Sequence, residues 1–335
     1  MKIVLFTATG AENLGDELIT LCEIQRFLLM DNNTQITLFS HDINRTKRFL
    51  LSQKLSLEQV TIQEYFPNGF RTHPIRNIWL FWQTLLSIKK ADHVYIGGGG
   101  LLYSKNEEWK SPLFLWSLRS RIARFFWKPL TYLSLGVTAT IDELKPFASS
   151  LFSWAEITVR DQESQSLLHE LGYQSRVQRD PVFDFFPHEK SHTPQQKTIG
   201  LALRAGFLDN SVVSDIVRWL LQKNYDVLLL PHSLHPTDES AHDGYYLQQF
   251  LFPGVRIAQS IEQTLESYPS CDAIIGMRLH SIILSLVYDI PLVAVSYGKK
   301  TQSILEQNGI EYLNPKTVTA PEILALLDKK TQKIW

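Results

Sequence analysis

The densest chemistry in the chain lies at Gly276-Met277-Arg278-Leu279-His280-Ser281, where an apolar strand meets an apolar helix. An arginine and a histidine two residues apart at such a junction can both face a ligand, and the helix N-terminus adds its own preference for anions. Ser296-Tyr297-Gly298-Lys299-Lys300 is again cationic at a helix start, and Ile199-Gly200-Leu201-Ala202-Leu203-Arg204 ends another strand on an arginine. The planar guanidinium fork suits a carboxylate or a phosphate. Arg204, Arg278, His280 and Lys299 therefore converge on the strand ends of one sheet, where an anionic ligand would be held.

Other segments leave two readings open. Thr9-Gly10-Ala11-Glu12-Asn13-Leu14-Gly15-Asp16-Glu17 follows the first strand. Asp16 and Glu17 in a first helical turn either complement the helix dipole or hydrogen-bond a sugar hydroxyl or take a proton from one, and Asn13 stabilises a turn or touches substrate. Gly10 and Gly15 do not make a dinucleotide fingerprint. Gly97-Gly98-Gly99-Gly100 follows a strand and either lets backbone N–H groups approach a ligand, through Gly98 and Gly99, or permits close packing. Pro231-His232 through Asp243 carries histidines and aspartates that resemble metal ligands, yet no compact His/Cys cluster completes a site. Substrate contacts from His232, or caps for the next helix, account for them. Arg160-Asp161 and Asp180-Pro181 read as structural, fixing an interdomain wall.

These residues need strand ends to carry them, and the chain supplies strands in alternation with helices. Strand-like runs at 3–8, 36–40, 60–65, 94–96, 132–135 and 157–159 accompany a helix at 16–30. After a polar, proline-containing stretch the alternation restarts, with strands at 198–203, 227–230, 273–276 and 292–296 and helices at 212–222, 239–250 and 279–288. This predicts an α/β protein with two doubly wound Rossmann-like domains, 1–184 and 198–335, joined by a linker at 185–197, in a GT-B-like arrangement. A length of 335 residues fits two cores. A net charge of −1 gives no long-range field for nucleic acid. Cys22 and Cys271 are the only cysteines and read as reduced thiols in a cytoplasmic protein. The opening run reads as a first strand rather than a secretory signal, and the longest apolar stretches, 78–88 and 112–118, are too short to span a bilayer. The aromatic and basic segment 109–127 either makes peripheral contact with a membrane surface or packs as an amphipathic helix.

Taken in order, Asn13-Leu14-Gly15-Asp16-Glu17, the glycine run, Arg160-Asp161 with Ser164, Asp180-Pro181, the strand ending at Arg204, Pro231-His232, Arg278-Leu279-His280 and Ser296-Tyr297 with Lys300 resemble the polysaccharide pyruvyl transferases. The resemblance implies a phosphoenolpyruvate donor, a pyruvate ketal formed on a cell-surface glycan or its lipid-linked precursor, and no cofactor or obligatory metal. It associates Arg278, Leu279 and His280 with donor binding. Arg204, Arg278 and a lysine at 299 or 300 would hold the donor's anionic groups; His280 would act as general acid or phosphate ligand, unless it only caps its helix. Asp16 or Glu17 would be the base. The alternative is a nucleotide-sugar glycosyltransferase, for which Glu262 and Glu266 are the acidic residues at hand. The chain departs from the family pattern in its extended segment 231–243 and in Asp289, where a glycine is common.

Overall fold

A computed structural model of the chain describes residues 1–68, 73–103, 112–185, 197–236, 238–239 and 242–332, apart from the side chains of Phe185 and Lys300. Most of the expected linker and the start of the 109–127 segment lie outside these residues.

Two units divide the chain: Met1–Ala11 with Asp16–Asp184, and Glu12–Gly15 with Phe185–Trp335. In the first, strands β1 (Lys2–Phe6), β2 (Gln35–Ser40), β3 (Val60–Glu64), β4 (His93–Gly97), β5 (Leu130–Leu135), β6 (Ala155–Val159) and β7 (Arg176–Val177) form a sheet ordered β3-β2-β1-β4-β5-β6-β7. Every pairing is parallel. The connections carry helices α1 (Leu14–Met30), α2 (Ile43–Ser52), α3 (Pro74–Lys90), α4 (Pro112–Phe125), α5 (Ile141–Phe152), α6 (Gln162–Glu170) and α7 (Val182–Phe185). All six residues of β5 are buried, as expected of a central strand covered on both faces.

The second unit repeats the plan with β8 (Thr198–Ala202), β9 (Asp226–Leu229), β10 (Val255–Ile257), β11 (Ala273–Gly276), β12 (Leu292–Val295) and β13 (Tyr312–Leu313), ordered β10-β9-β8-β11-β12-β13 and all parallel. Its helices are α8 (Asn210–Gln222), α9 (Asp243–Leu247), α10 (Ile261–Ser267), α11 (Leu279–Val287), α12 (Lys299–Gln307) and α13 (Ala320–Thr331). Local side chains fix several helix starts: Asp42, Asp161, Asp209 and Ser260 accept first-turn N–H groups, and Thr140 with Glu143 forms a reciprocal capping box.

One expected helix, 239–250, is shorter than its pattern implies. Leu234 bridges His242 in antiparallel fashion, which holds that backbone extended, so α9 begins only at Asp243 and gives way to a 3-10 turn at Gln248–Phe250. Among the described residues no helix is long and apolar enough to cross a membrane.

In both sheets the strand order reverses beside the first strand, between β1 and β4 and between β8 and β11. At such a point the connecting loops part in opposite directions, and a crevice opens at the carboxyl ends of the strands. Arg204 follows β8 and Arg278 follows β11, so the second unit's cations flank its reversal point.

Candidate functional site

Arg278 is the extended residue before α11 and makes no side-chain cap. Its guanidinium turns to Asp243 instead: Nε donates to Oδ2 at 3.0 Å, and an η nitrogen donates to Oδ1. Asp243 is buried, and its Oδ2 also accepts the backbone N–H groups of His232 at 3.1 Å and Ser233 at 3.0 Å. Burial pushes this carboxyl above the ordinary range, while Arg278 and the two N–H groups pull it down. Two prongs of the fork are thus spent on orientation, and among the described residues no hydrogen bond takes up the other N–H groups.

The same aspartate organises His232. Its Nε2 lies 2.6 Å from the Tyr268 hydroxyl, and its Nδ1 has no hydrogen-bond partner among the described residues. Burial, followed by the charges of Arg278 and His280, holds this imidazole well below its ordinary pKa, so it is neutral at physiological pH.

The segment Glu12–Gly15 joins this cluster as a short strip. Asn13 bridges Ser233, Leu14 N–H donates to the His232 carbonyl at 2.8 Å, and Leu234 N–H donates to the Glu12 carbonyl at 2.9 Å. Glu12 takes a left-handed φ of 55°, and the Asn13 side chain accepts Gly15 N–H at 3.1 Å, closing a turn. Against Gly15 lies His280, in the first turn of α11; a Cβ on this glycine would fall 2.0 Å from Nδ1. Leu279, the first residue of α11, is partly exposed.

Arg204 belongs to a second group at this sheet edge. An η nitrogen donates to the Tyr297 hydroxyl at 3.0 Å, and the guanidinium carbon stands 5.3 Å from the Phe207 ring centre and 5.2 Å from that of Tyr297. The two rings stack at 4.0 Å, a platform that orients the cation while leaving it charged. Lys299 opens α12 and is exposed. The Lys300 side chain lies outside the described residues.

The first unit's candidates have different surroundings. Glu17 is buried, accepts the Thr9 hydroxyl, and accepts Gly10 N–H at 2.6 Å, so its carboxylate ties the β1–α1 loop together. Asp16 is partly exposed, and its Oδ1 would lie 2.4 Å from a Cβ on Gly99. Gly98 and Gly99, at φ of 86° and 73°, are both buried. A Cβ on Gly98 would strike Ile19 at 2.3 Å, and its N–H donates to the Leu133 carbonyl at 3.0 Å. This backbone serves the packing of α1 on the sheet. Arg160 lies 3.8 Å from Asp180, and Asp161 caps α6 through Ser164 N–H at 2.7 Å.

Asn13, His232, Arg278 and His280 are therefore brought together, with Asp243 and Gly15 as the residues that join them. Asp243 reads in sequence as a helix cap or metal-type ligand, because a pairing with Arg278 leaves no local signal. Tyr268 as partner of His232 has none either. No group of three or more His, Cys, Asp or Glu side chains placed to hold a metal occurs among the described residues. The arrangement can bind an anion, through Arg278 and the α11 N-terminus, and can move a proton at His280.

A family model described as polysaccharide pyruvyl transferase matches residues 13–299. No curated protein matches the sequence significantly. Among solved structures, ADP-heptose lipopolysaccharide heptosyltransferase II of E. coli is similar over 100% of this chain and 99% of its own, with 12% identity and a TM-score of 0.56. UDP-GlcNAc 2-epimerase from Methanocaldococcus jannaschii aligns over 99% of this chain and 93% of its own, at 12% identity and a TM-score of 0.62. The Neisseria meningitidis UDP-GlcNAc 2-epimerase, bound to UDP-GlcNAc, covers 100% and 91% at 12% identity and a TM-score of 0.59. At such identities the likeness shows the fold: two Rossmann-like α/β domains of the GT-B-like class.

Proposed function

Because the chain belongs to the polysaccharide pyruvyl transferase family, we propose that it uses phosphoenolpyruvate to build a pyruvate ketal on a sugar of a cell-surface polysaccharide or its lipid-linked precursor. The observation that carries the donor assignment is the placement of Arg278 and His280 on the opening turn of α11, beside the strand-order reversal of the second sheet. Phosphoenolpyruvate is small and carries a carboxylate and a phosphate, which call for fixed cations and helix N-termini rather than a base-binding slot.

In this reading Arg278, held by Asp243, and Arg204, held on its aromatic platform, bind the two anionic groups, with Lys299 or Lys300 contributing charge. His280 delivers a proton to the methylene carbon, which becomes the methyl group, and the adjacent carbon becomes electrophilic. One sugar hydroxyl adds to that carbon, the C–O bond to phosphate breaks, and a second hydroxyl closes the ketal. Of the two hydroxyl protons, one replaces the proton given to the methyl group and the other leaves with phosphate. Asp16 is the proposed base, since Glu17 is engaged within its loop. The reaction is placed on the cytoplasmic side of a membrane when the acceptor is lipid-linked.

Ligand-induced stabilisation separates this from nucleotide-sugar transfer, since only a ligand of the native state raises the thermal midpoint. Phosphoenolpyruvate should raise it and nucleotide sugars should not; the converse would favour the glycosyltransferase reading.

A further inference from the structure

Helix α3 is apolar on both faces. Asn77, Leu80, Thr84 and Ile88 are on its buried face, and Ile75, Ile78, Trp79, Trp82 and Leu86 are nevertheless exposed, at 82, 60, 60, 57 and 50%. These five recur at helical spacing and form one outward stripe. No charge interrupts the segment between Arg76 and Lys89. A surface helix normally turns its charges outward, and a contiguous exposed apolar stripe marks a surface that something covers.

The neighbouring helix continues the pattern. α3 packs against α4, where Phe114, Arg121, Arg124 and Phe125 are exposed. Just beyond α4, Trp127 is 79% exposed and holds a left-handed φ of 54°. Its N–H donates to the Arg124 carbonyl at 2.9 Å and Lys128 N–H to that of Ala123 at 2.9 Å, a helix ending that favours glycine. A large aromatic residue is thus kept in water and in an unfavourable backbone conformation. Trp154 meets it edge-on at 5.8 Å with Arg124 over the Trp154 ring, and the two tryptophans, Arg124 and Lys128 line a cavity of about 230 Å³.

We propose that this face of the first unit docks on the surface of an anionic lipid bilayer, with α3 lying in the interfacial plane. Charge complementarity selects the occupant: α3 and α4 contain no Asp or Glu, and Lys89, Lys90, Arg121 and Arg124 are exposed on them. Tryptophan suits the headgroup region, where an apolar body and a polar N–H are both satisfied. Since no helix among the described residues is long and apolar enough to cross a membrane, α3 would lie on the surface rather than through it. The inference deepens the transferase reading by bringing the enzyme to a lipid-borne acceptor; its geometry does not rest on that reading.

The test is flotation of the full chain with phosphatidylcholine vesicles, with and without phosphatidylglycerol. Neither contains a glycan acceptor, so the result is independent of whether the transfer reaction is assigned correctly. Binding to the anionic vesicles only, weakened by salt, is expected. Trp79→Gln with Trp82→Gln should lower vesicle affinity by roughly tenfold or more. Trp127→Gly is the second variant: it relieves the left-handed backbone, so its thermal midpoint should hold or rise while vesicle affinity falls. Absence of wild-type binding, or binding unchanged in all variants, would overturn the proposal. So would a dimer in sedimentation that the Trp79 and Trp82 substitutions dissolve without any vesicle binding, which would assign the face to a second copy.

Discussion

The ring of His280 rests directly on Gly15, with no room between them for a Cβ. Gly15→Ala must therefore push the imidazole aside, and because the obstacle is the end of a side chain the backbone can stay in place. Turnover should fall by about 10²-fold, as displacement of a reacting group by about 1 Å does. Circular dichroism should be unchanged, and wild-type turnover in a folded Gly15→Ala protein would remove this contact from the mechanism.

Arg278 and His280 share a junction and have different tasks. Arg278→Lys keeps the charge but loses the fork that Asp243 grips, so calorimetric donor affinity should drop by roughly tenfold. In His280→Ala turnover should drop by roughly 10²-fold or more, with affinity closer to normal. Near-normal turnover in the folded alanine variant would return His280 to a capping role.

Glu23 gives a pH signature away from the site. It is buried in α1 with no hydrogen bond to its carboxylate among the described residues, and burial pushes its pKa from 4.5 to about 7, with Arg26 pulling down and Asp180 pushing up. The native state therefore holds this proton more tightly than the unfolded chain. Its stabilising effect is full below pH 4.5 and is lost as pH rises through 7, amounting to about 3 kcal/mol. Glu23→Gln should raise the unfolding free energy by about that much at pH 8 and change little at pH 4. An unchanged difference between wild type and variant across that range would contradict it.

The alternation of strands and helices was legible because buried parallel strands read as apolar runs and their helices keep a periodic face. β11 lies at the residues its pattern marks, and β1, β2, β8, β12 and α11 fall within two residues at each end. Short edge elements such as β10 and β13 escaped, since two or three residues carry no period. α13 escaped although Thr319 and Glu322 announce its start as a capping box. In the site, the Arg278-Leu279-His280 junction was visible as a local pattern. What positions it was not, because Asp243 and Gly15 act across the fold. Glu17 shows the converse: its place in a first turn implied a cap or a base, and its actual acceptor role toward Thr9 and Gly10 depends on how the loop folds back.

Asp289 adopts a left-handed φ of 50° just after α11, and Ile290 N–H closes the helix on the Ser285 carbonyl at 2.8 Å. Glycine occupies this conformation without steric cost. With the side chain removed in both cases, Asp289→Gly should be more stable than Asp289→Ala by about 1 kcal/mol. Equal midpoints in urea unfolding would contradict this account.

The central claim is settled most directly by following the donor's own carbon. Phosphoenolpyruvate labelled with 13C at the phosphate-bearing carbon is incubated with the protein and a panel of glycan precursors, and carbon NMR is read alongside phosphate release. The account predicts one ketal carbon, bonded to two oxygens of the same sugar, for each phosphate released, and no phosphate release in the absence of acceptor. Phosphate release without label on the glycan, or transfer to the same acceptors only from a nucleotide sugar, would contradict it.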